Sequence, residues 1–186
     1  MVCEIQALSA RQIAALCEDP SLAEDVIFGS DEKEGEQTAM LAGEPLREQL
    51  YLDKCWDLLR FMMNEAGGQD VPDRQDWSSE LLLSDEDADL GEVDAGYGSP
   101  YLRSITQTTQ LADFLRALTV DQLLSHWNTQ KMLKTRVYLV YEEKTPEEQE
   151  QSADDLRRYA ASYYPSLRDY VLKAASDQCG LLLWIG

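Results

Sequence analysis

The stretch Leu50 to Asn64, LYLDKCWDLLRFMMN, constrains the fold more than any other part of the chain. Leu52, Cys55, Trp56, Leu59, Met62 and Met63 recur at steps of three and four, the single apolar stripe of an α-helix. Asp53 stands where an N-cap belongs, and Gly67-Gly68 closes the segment. Trp56 and the two methionines are bulky enough to make this helix the post around which a core packs. A stripe of that size demands apolar surface from the rest of the chain.

The flanking sequence supplies it. Val2 to Leu8 alternates as a strand, and Ser9 caps a helix through Cys17 that turns Ile13, Leu16 and Cys17 inward. Asp19-Pro20 stops it, and Ser21 opens a short helix carrying Leu22, Val26 and Ile27, ended by Gly29. Ser30 to Pro45, with Asp31, Glu32, Glu34 and Glu36 and little periodicity, reads as a mobile acidic loop. Residues 69–100 are irregular. Trp77 and Leu81 to Leu83 ask for burial, Ser84 to Asp94 is strongly acidic, and Gly96-Tyr97-Gly98-Ser99-Pro100 is a turn.

Tyr101 to Ile105 reads as a strand, and Thr106 caps a helix through Leu118 with Leu111, Phe114 and Leu115 on one face. Thr119 and Gln122 form a capping box for the next helix, which presents Leu123, Leu124 and Trp127; Asn128 caps a short turn containing Met132. Arg136 to Tyr141 reads as extended. Pro146 suits the first position of a long helix on which Leu156, Tyr159, Tyr163, Leu167, Tyr170, Val171 and Ala174 share a face. Pro165 predicts a kink or break near Tyr164. Gly180 ends the helix, and Leu181 to Ile185 is a buried closing strand. The terminal strands are natural neighbours in one small mixed sheet. The fold class expected is therefore α+β: a single, helix-rich domain over residues 1–186.

Charge narrows the function classes. Thirty-five acidic residues against sixteen basic leave a net −19. A surface so negative repels nucleic acid and anionic lipid, and it favours a basic protein partner or simple solubility. Cys3, Cys17, Cys55 and Cys179 form no C-x-x-C pair, Cys17 and Cys55 fall on apolar helical faces, and no signal-like start precedes them. Reduced thiols in the cytoplasm are the expectation.

Tests for catalytic and metal motifs fail one by one. A calcium loop counted from Asp85 needs Gly at position 6 and Glu at position 12, but Leu90 and Gly96 stand there. His126 is the only histidine, and it neighbours Trp127 on a helix with apolar demands, so a structural role is favoured. Gly96-x-Gly98 lacks the third glycine and the Lys-Ser/Thr of a phosphate cradle. The row Tyr159, Tyr163, Tyr170 reads as core and rim rather than a base-stacking platform. No catalytic residue, metal site or cofactor is expected.

Several pieces, in order, resemble the YfbM-like family, a bacterial domain family of unknown function. They are Cys3-Glu-Ile-Gln-Ala-Leu-Ser9 with its helix and Asp19-Pro20, Leu52-Asp53-Lys54-Cys55-Trp56-Asp57-Leu58-Leu59, and Gly96-Tyr97-Gly98 leading to Tyr101-Leu102. Met132, Tyr138, the helix Leu167 to Ala175 and the closing apolar strand complete the match. The chain departs from the family in placing Ser99 before Pro100 after the turn, and in its acidic approach, Ser84 to Asp94. The resemblance implies an α+β single domain and a bacterial cytoplasmic setting, and it transfers no catalytic residue.

Two functional expectations follow. The first is an acidic interaction protein, an immunity or inhibitor protein that blocks a basic toxin or effector domain. Its docking residues are Asp31, Glu32, Glu34 and Glu36 in one loop and Asp85, Glu86, Asp87, Asp89, Glu92 and Asp94 in the other. The second is a small-molecule-binding domain or enzyme with a cleft near Asp53, Trp56 and Tyr97.

Overall fold

The computed structural model describes residues 1–29, 40–68, 90, 93–143 and 145–186. In chain order these form β1 (Cys3–Leu8), α1 (Ala10–Glu18), α2 (Leu22–Phe28), β2 (Met40–Leu41), β3 (Glu44–Pro45), β4 (Leu50–Tyr51), α3 (Trp56–Ala66), β5 (Tyr101–Arg103), α4 (Ile105–Ala117), α5 (Val120–Ser125), α6 (Thr129–Lys134), α7 (Pro146–Ser176) and β6 (Gly180–Ile185). The main sheet runs β4-β1-β6-β5, with the terminal strands paired along their length from Cys3↔Ile185 to Leu8↔Gly180. A mixed sheet was expected; every pairing is antiparallel, and β2 and β3 form a small separate hairpin.

Helices cover both faces of the sheet, which explains why β6 reads GLLLWI with no polar alternation. Cys3, Ile5, Ala7, Leu181, Leu183 and Ile185 face a large core built with α3, α4 and α7. Leu8, Leu102, Leu182 and Trp184 face a smaller one with Leu16, Ala23, Val26, Leu41 and Val93. The domain is thus a helix-rich α+β fold centred on its last strand.

Local signals set most helix starts. The Ser9, Thr119 and Thr145 hydroxyls each accept from the amide three residues on, and their own amides donate to the matching Gln or Glu side chain; Asn128 caps α6. Seven expectations need correction. The central helix begins at Trp56, because Leu50–Tyr51 pairs with Ile5 and Glu4 as strand β4. Asp53 is therefore no N-cap. The cap of α4 is Ser104, boxed with Gln107, two residues before Thr106.

Cys17 is exposed, and Gln12 takes the inner position, reaching the Glu44 and Pro45 carbonyls of the hairpin. Residues 136–141 are turns, with Arg136 at φ +56° and Leu139 at φ +74°. Helix α7 continues through Pro165, whose ring lies on the exposed side while buried Tyr164 and Leu167 hold the packed face. The helix ends at Asp177, and Gly180 belongs to β6 instead; a Cβ there would lie 2.2 Å from the Arg103 carbonyl oxygen.

The tyrosine row of α7 is core and rim, and its hydroxyls pin the sheet edge. The Tyr170 hydroxyl accepts from the Ala7 amide at 2.8 Å, where β1 runs past the end of β4, and donates to the Glu48 carbonyl at 3.0 Å. An edge that would otherwise offer a free amide is closed in this way. Burial pushes the Tyr170 phenol up to about 12.

Candidate functional site

Between β4 and α3 the chain must leave a strand and enter a helix within four residues. The Leu52 amide bonds the Cys3 carbonyl and the Cys3 amide bonds the Asp53 carbonyl, so strand pairing persists to the turn itself. Asp53 then adopts φ +48°, the left-handed region that aspartate tolerates better than most side chains. That backbone, rather than a capping bond, aims its carboxylate at α7.

Three tyrosines meet it there. Tyr159 donates to Asp53 Oδ2 at 2.6 Å and accepts from the Lys54 amide at 3.2 Å; Tyr51 stands 3.4 Å from Oδ1. Tyr163 packs edge-on against Tyr159, ring centroids 5.3 Å apart at 75°. Desolvation first, then the Asp53 charge, raises the pKa of Tyr51 and of Tyr163, and desolvation with the Asp53 bond does the same for Tyr159. All three stay in the donor form at neutral pH. Among the described residues no lysine or arginine side chain pairs with Asp53.

One turn further on, Asp57 is treated differently. It is fully buried on α3, Oδ1 bonded to Arg60 Nε at 2.5 Å and Oδ2 accepting from the Tyr138 amide at 2.5 Å. This pair anchors the 136–140 turns, including both left-handed residues, to the core helix. Its role is positioning.

The structure does not gather Asp53, Trp56 and Tyr97 into one open cleft. Trp56 has no exposed surface and sits in the large core. Tyr97 is 64% exposed on the turn made by Gly96 (φ +104°) and Gly98 (φ +115°). Its amide bonds the Ile185 carbonyl, which places it on the β5 side of β6, whereas Asp53 lies on the β4 side of β1. Two strands, each about 4.8 Å wide, separate their backbones.

Of the acidic docking residues, Asp31, Glu32, Glu34, Glu36, Asp85, Glu86, Asp87, Asp89 and Glu92 lie outside the described residues, as do Trp77 and Leu81 to Leu83. Asp94 is exposed and accepts from the Gly96 amide at 2.8 Å, closing the turn. A further acidic surface exists where α6 meets the start of α7: an open groove of about 420 Å³ lined by Gln130, Leu133, Glu142, Glu143, Gln149 and Glu150. Beside it Arg157 is held by Glu150 and Asp154 and lies 5.3 Å over the Trp127 ring. His126 caps the end of α5 through its amide.

Tyr51, Tyr159 and Tyr163 escaped the sequence reading as site residues. The i, i+4 spacing of Tyr159 and Tyr163 was visible, but nothing local links them to a carboxylate 106 residues earlier in the chain.

A family model described as "Domain of unknown function (DUF1877)" matches residues 1–184. The chain belongs to this family. The crystal structure of YfbM, a protein of unknown function from Escherichia coli, matches with a TM-score of 0.56 over 98% of each chain at 15% identity, a likeness of fold. No curated protein matches the sequence. Both matches agree with the YfbM-like resemblance read from the motifs, and the Leu52 to Leu59 motif of this DUF1877 chain is the segment that carries Asp53 and Asp57. Among the described residues no helix is long and apolar enough to cross a membrane.

Proposed function

We propose that this chain is an acidic cytoplasmic interaction protein, of the immunity or inhibitor kind, that binds and blocks a basic toxin or effector domain. The observation that carries this reading is the net charge of −19. Supporting it, the carboxylates of Glu142, Glu143 and Glu150 line an open groove rather than a closed pocket, a shape suited to a protein surface. Charge of this sign disfavours nucleic acid and anionic membrane as partners. Steering by such a field raises association rates by ~10- to 10³-fold and fades with salt.

The test is capture of host proteins on the tagged chain at low salt and at ~150 mM, where the screening length falls to about 8 Å. The captured protein is then purified and its association rate measured directly. The reading expects a basic partner whose activity the chain inhibits, and an association rate that drops when the 31–36 and 85–94 carboxylates are neutralised. A partner whose binding ignores both salt and those substitutions would overturn it.

A further inference from the structure

Asp53 is fixed from several directions, and among the described residues no cationic side chain pairs with it. Its carbonyl is bonded by the Cys3 amide, its backbone is left-handed, and Oδ2 holds a 2.6 Å bond from Tyr159. Oδ1 meets the Tyr51 hydroxyl at 3.4 Å, beyond the usual O–H···O range of about 2.5–3.0 Å, and the Tyr163 hydroxyl also reaches the carboxylate. Elsewhere this chain pairs its carboxylates with cations readily: Arg60 with Asp57, Arg47 with Asp177, Arg157 with Asp154. Lys54, next in sequence, contributes its amide to Tyr159.

Phenol side chains flank the carboxylate. Tyr51 is 50% exposed, Tyr159 is partly buried, and Tyr163 stands edge-on to Tyr159. A carboxylate with no cationic partner among the described residues, flanked by phenols, suits a cation whose own bulk is apolar: the carboxylate balances the charge and the phenols offer apolar and π surface beside it. An anionic ligand would meet that uncompensated charge, and a neutral one would gain nothing from it.

We propose that Asp53, Tyr51, Tyr159 and Tyr163 form a binding site for an organic ammonium group, primary or methylated. The group arrives either on a free small amine or on a lysine side chain. The site stands on the geometry of Asp53 and does not rest on the basic-toxin reading.

The experiment is an NMR titration of the full chain, following tyrosine ring signals at ~150 mM ionic strength. The probes are choline, n-butylammonium and Nα-acetyl-lysine methylamide, with 3,3-dimethyl-1-butanol as the neutral twin of choline. The expected result is a saturable shift with the cations alone, weakened at least ~10-fold in Asp53→Asn and ~3-fold in Tyr51→Leu. Asp121→Asn, which removes an exposed charge on α5, leaves it unchanged. Tighter binding of the lysine derivative than of n-butylammonium assigns the source to a protein side chain; the reverse assigns it to a free amine.

Tyr51 is half exposed, so its variant carries the test if Asp53→Asn does not fold. No saturable shift up to about 30 mM, an equal response to the neutral alcohol, or equal weakening by Asp53→Asn and Asp121→Asn would overturn the proposal.

Discussion

Asp53 and Asp57 stand four residues apart in one motif, and the fold uses them in opposite ways. Asp57 is sealed in the core against Arg60 and the Tyr138 amide; Asp53 lies at the rim, bonded to phenols, with no cation paired to it among the described residues. The difference comes from backbone, not side-chain chemistry. Asp57 rides the first turn of α3 and faces inward, whereas Asp53 precedes the helix in a left-handed turn that points it across to α7. One carboxylate organises the core, and its neighbour is left available at the surface.

Removing Arg60 attacks the first half of that contrast hardest. Arg60→Met strands a buried charge on Asp57 and should lower stability by about 3–5 kcal/mol in urea denaturation, while the double variant Asp57→Asn/Arg60→Met should recover most of it. A single-variant loss below about 1 kcal/mol would mean that Asp57 is less sealed than its burial indicates. At the rim the stakes are smaller. Tyr159→Phe removes one donor from Asp53 and should cost about 1 kcal/mol in thermal or chemical denaturation.

The turn itself gives a finer comparison. Asp53→Ala should be less stable than Asp53→Gly by about 1 kcal/mol, because alanine keeps the left-handed strain that glycine lacks. Equal stabilities would show that the turn relaxes in the variants.

The pH dependence should separate the two ends of the scale with the least expected change. Tyr159 has a raised folded pKa, so its contribution is complete below pH 10 and is lost as pH climbs above it; Tyr159→Phe should flatten that alkaline decline. Bonds from Lys173 and Arg47 hold Asp177 below its ordinary 3.8, so its contribution is present above that value and fades as pH falls beneath it. Asp177→Asn should remove the acid slope and leave the alkaline one intact.

Much of what is set by neighbours in sequence was legible in advance, although the Ser104–Gln107 box was read two residues late at Thr106. Thr119 with Gln122 and Asn128 announced their helices because a capping bond spans three residues. Leu181 to Ile185 announced a buried strand because its run is apolar throughout. Apart from the pairing of the two terminal strands, what distant partners decide was not legible. Leu50 and Tyr51 fit a helical stripe until Ile5 and Glu4 claim them as a strand.

Residues 136–141 read as extended until Asp57 folds them into turns. Gly180 resembled a helix stop, while its true constraint is the Arg103 carbonyl on a neighbouring strand. The candidate site divides along the same line: Asp53 stood out within its motif, and Tyr159 and Tyr163 were brought to it by α7 from a hundred residues away.

The placement of β6 between β1 and β5 has a consequence for how the chain comes to be folded in a cell. The first strand made must wait for the last, and at ~5–20 residues per second that wait is on the order of tens of seconds. Until then Cys3, Ile5, Leu8 and Leu102 have no central strand to cover them. Sheet formation is therefore an event that follows synthesis of the whole domain. A nascent chain stalled before Gly180 would expose apolar strands with no partner, so quality control would meet this domain at the synthesis of β6.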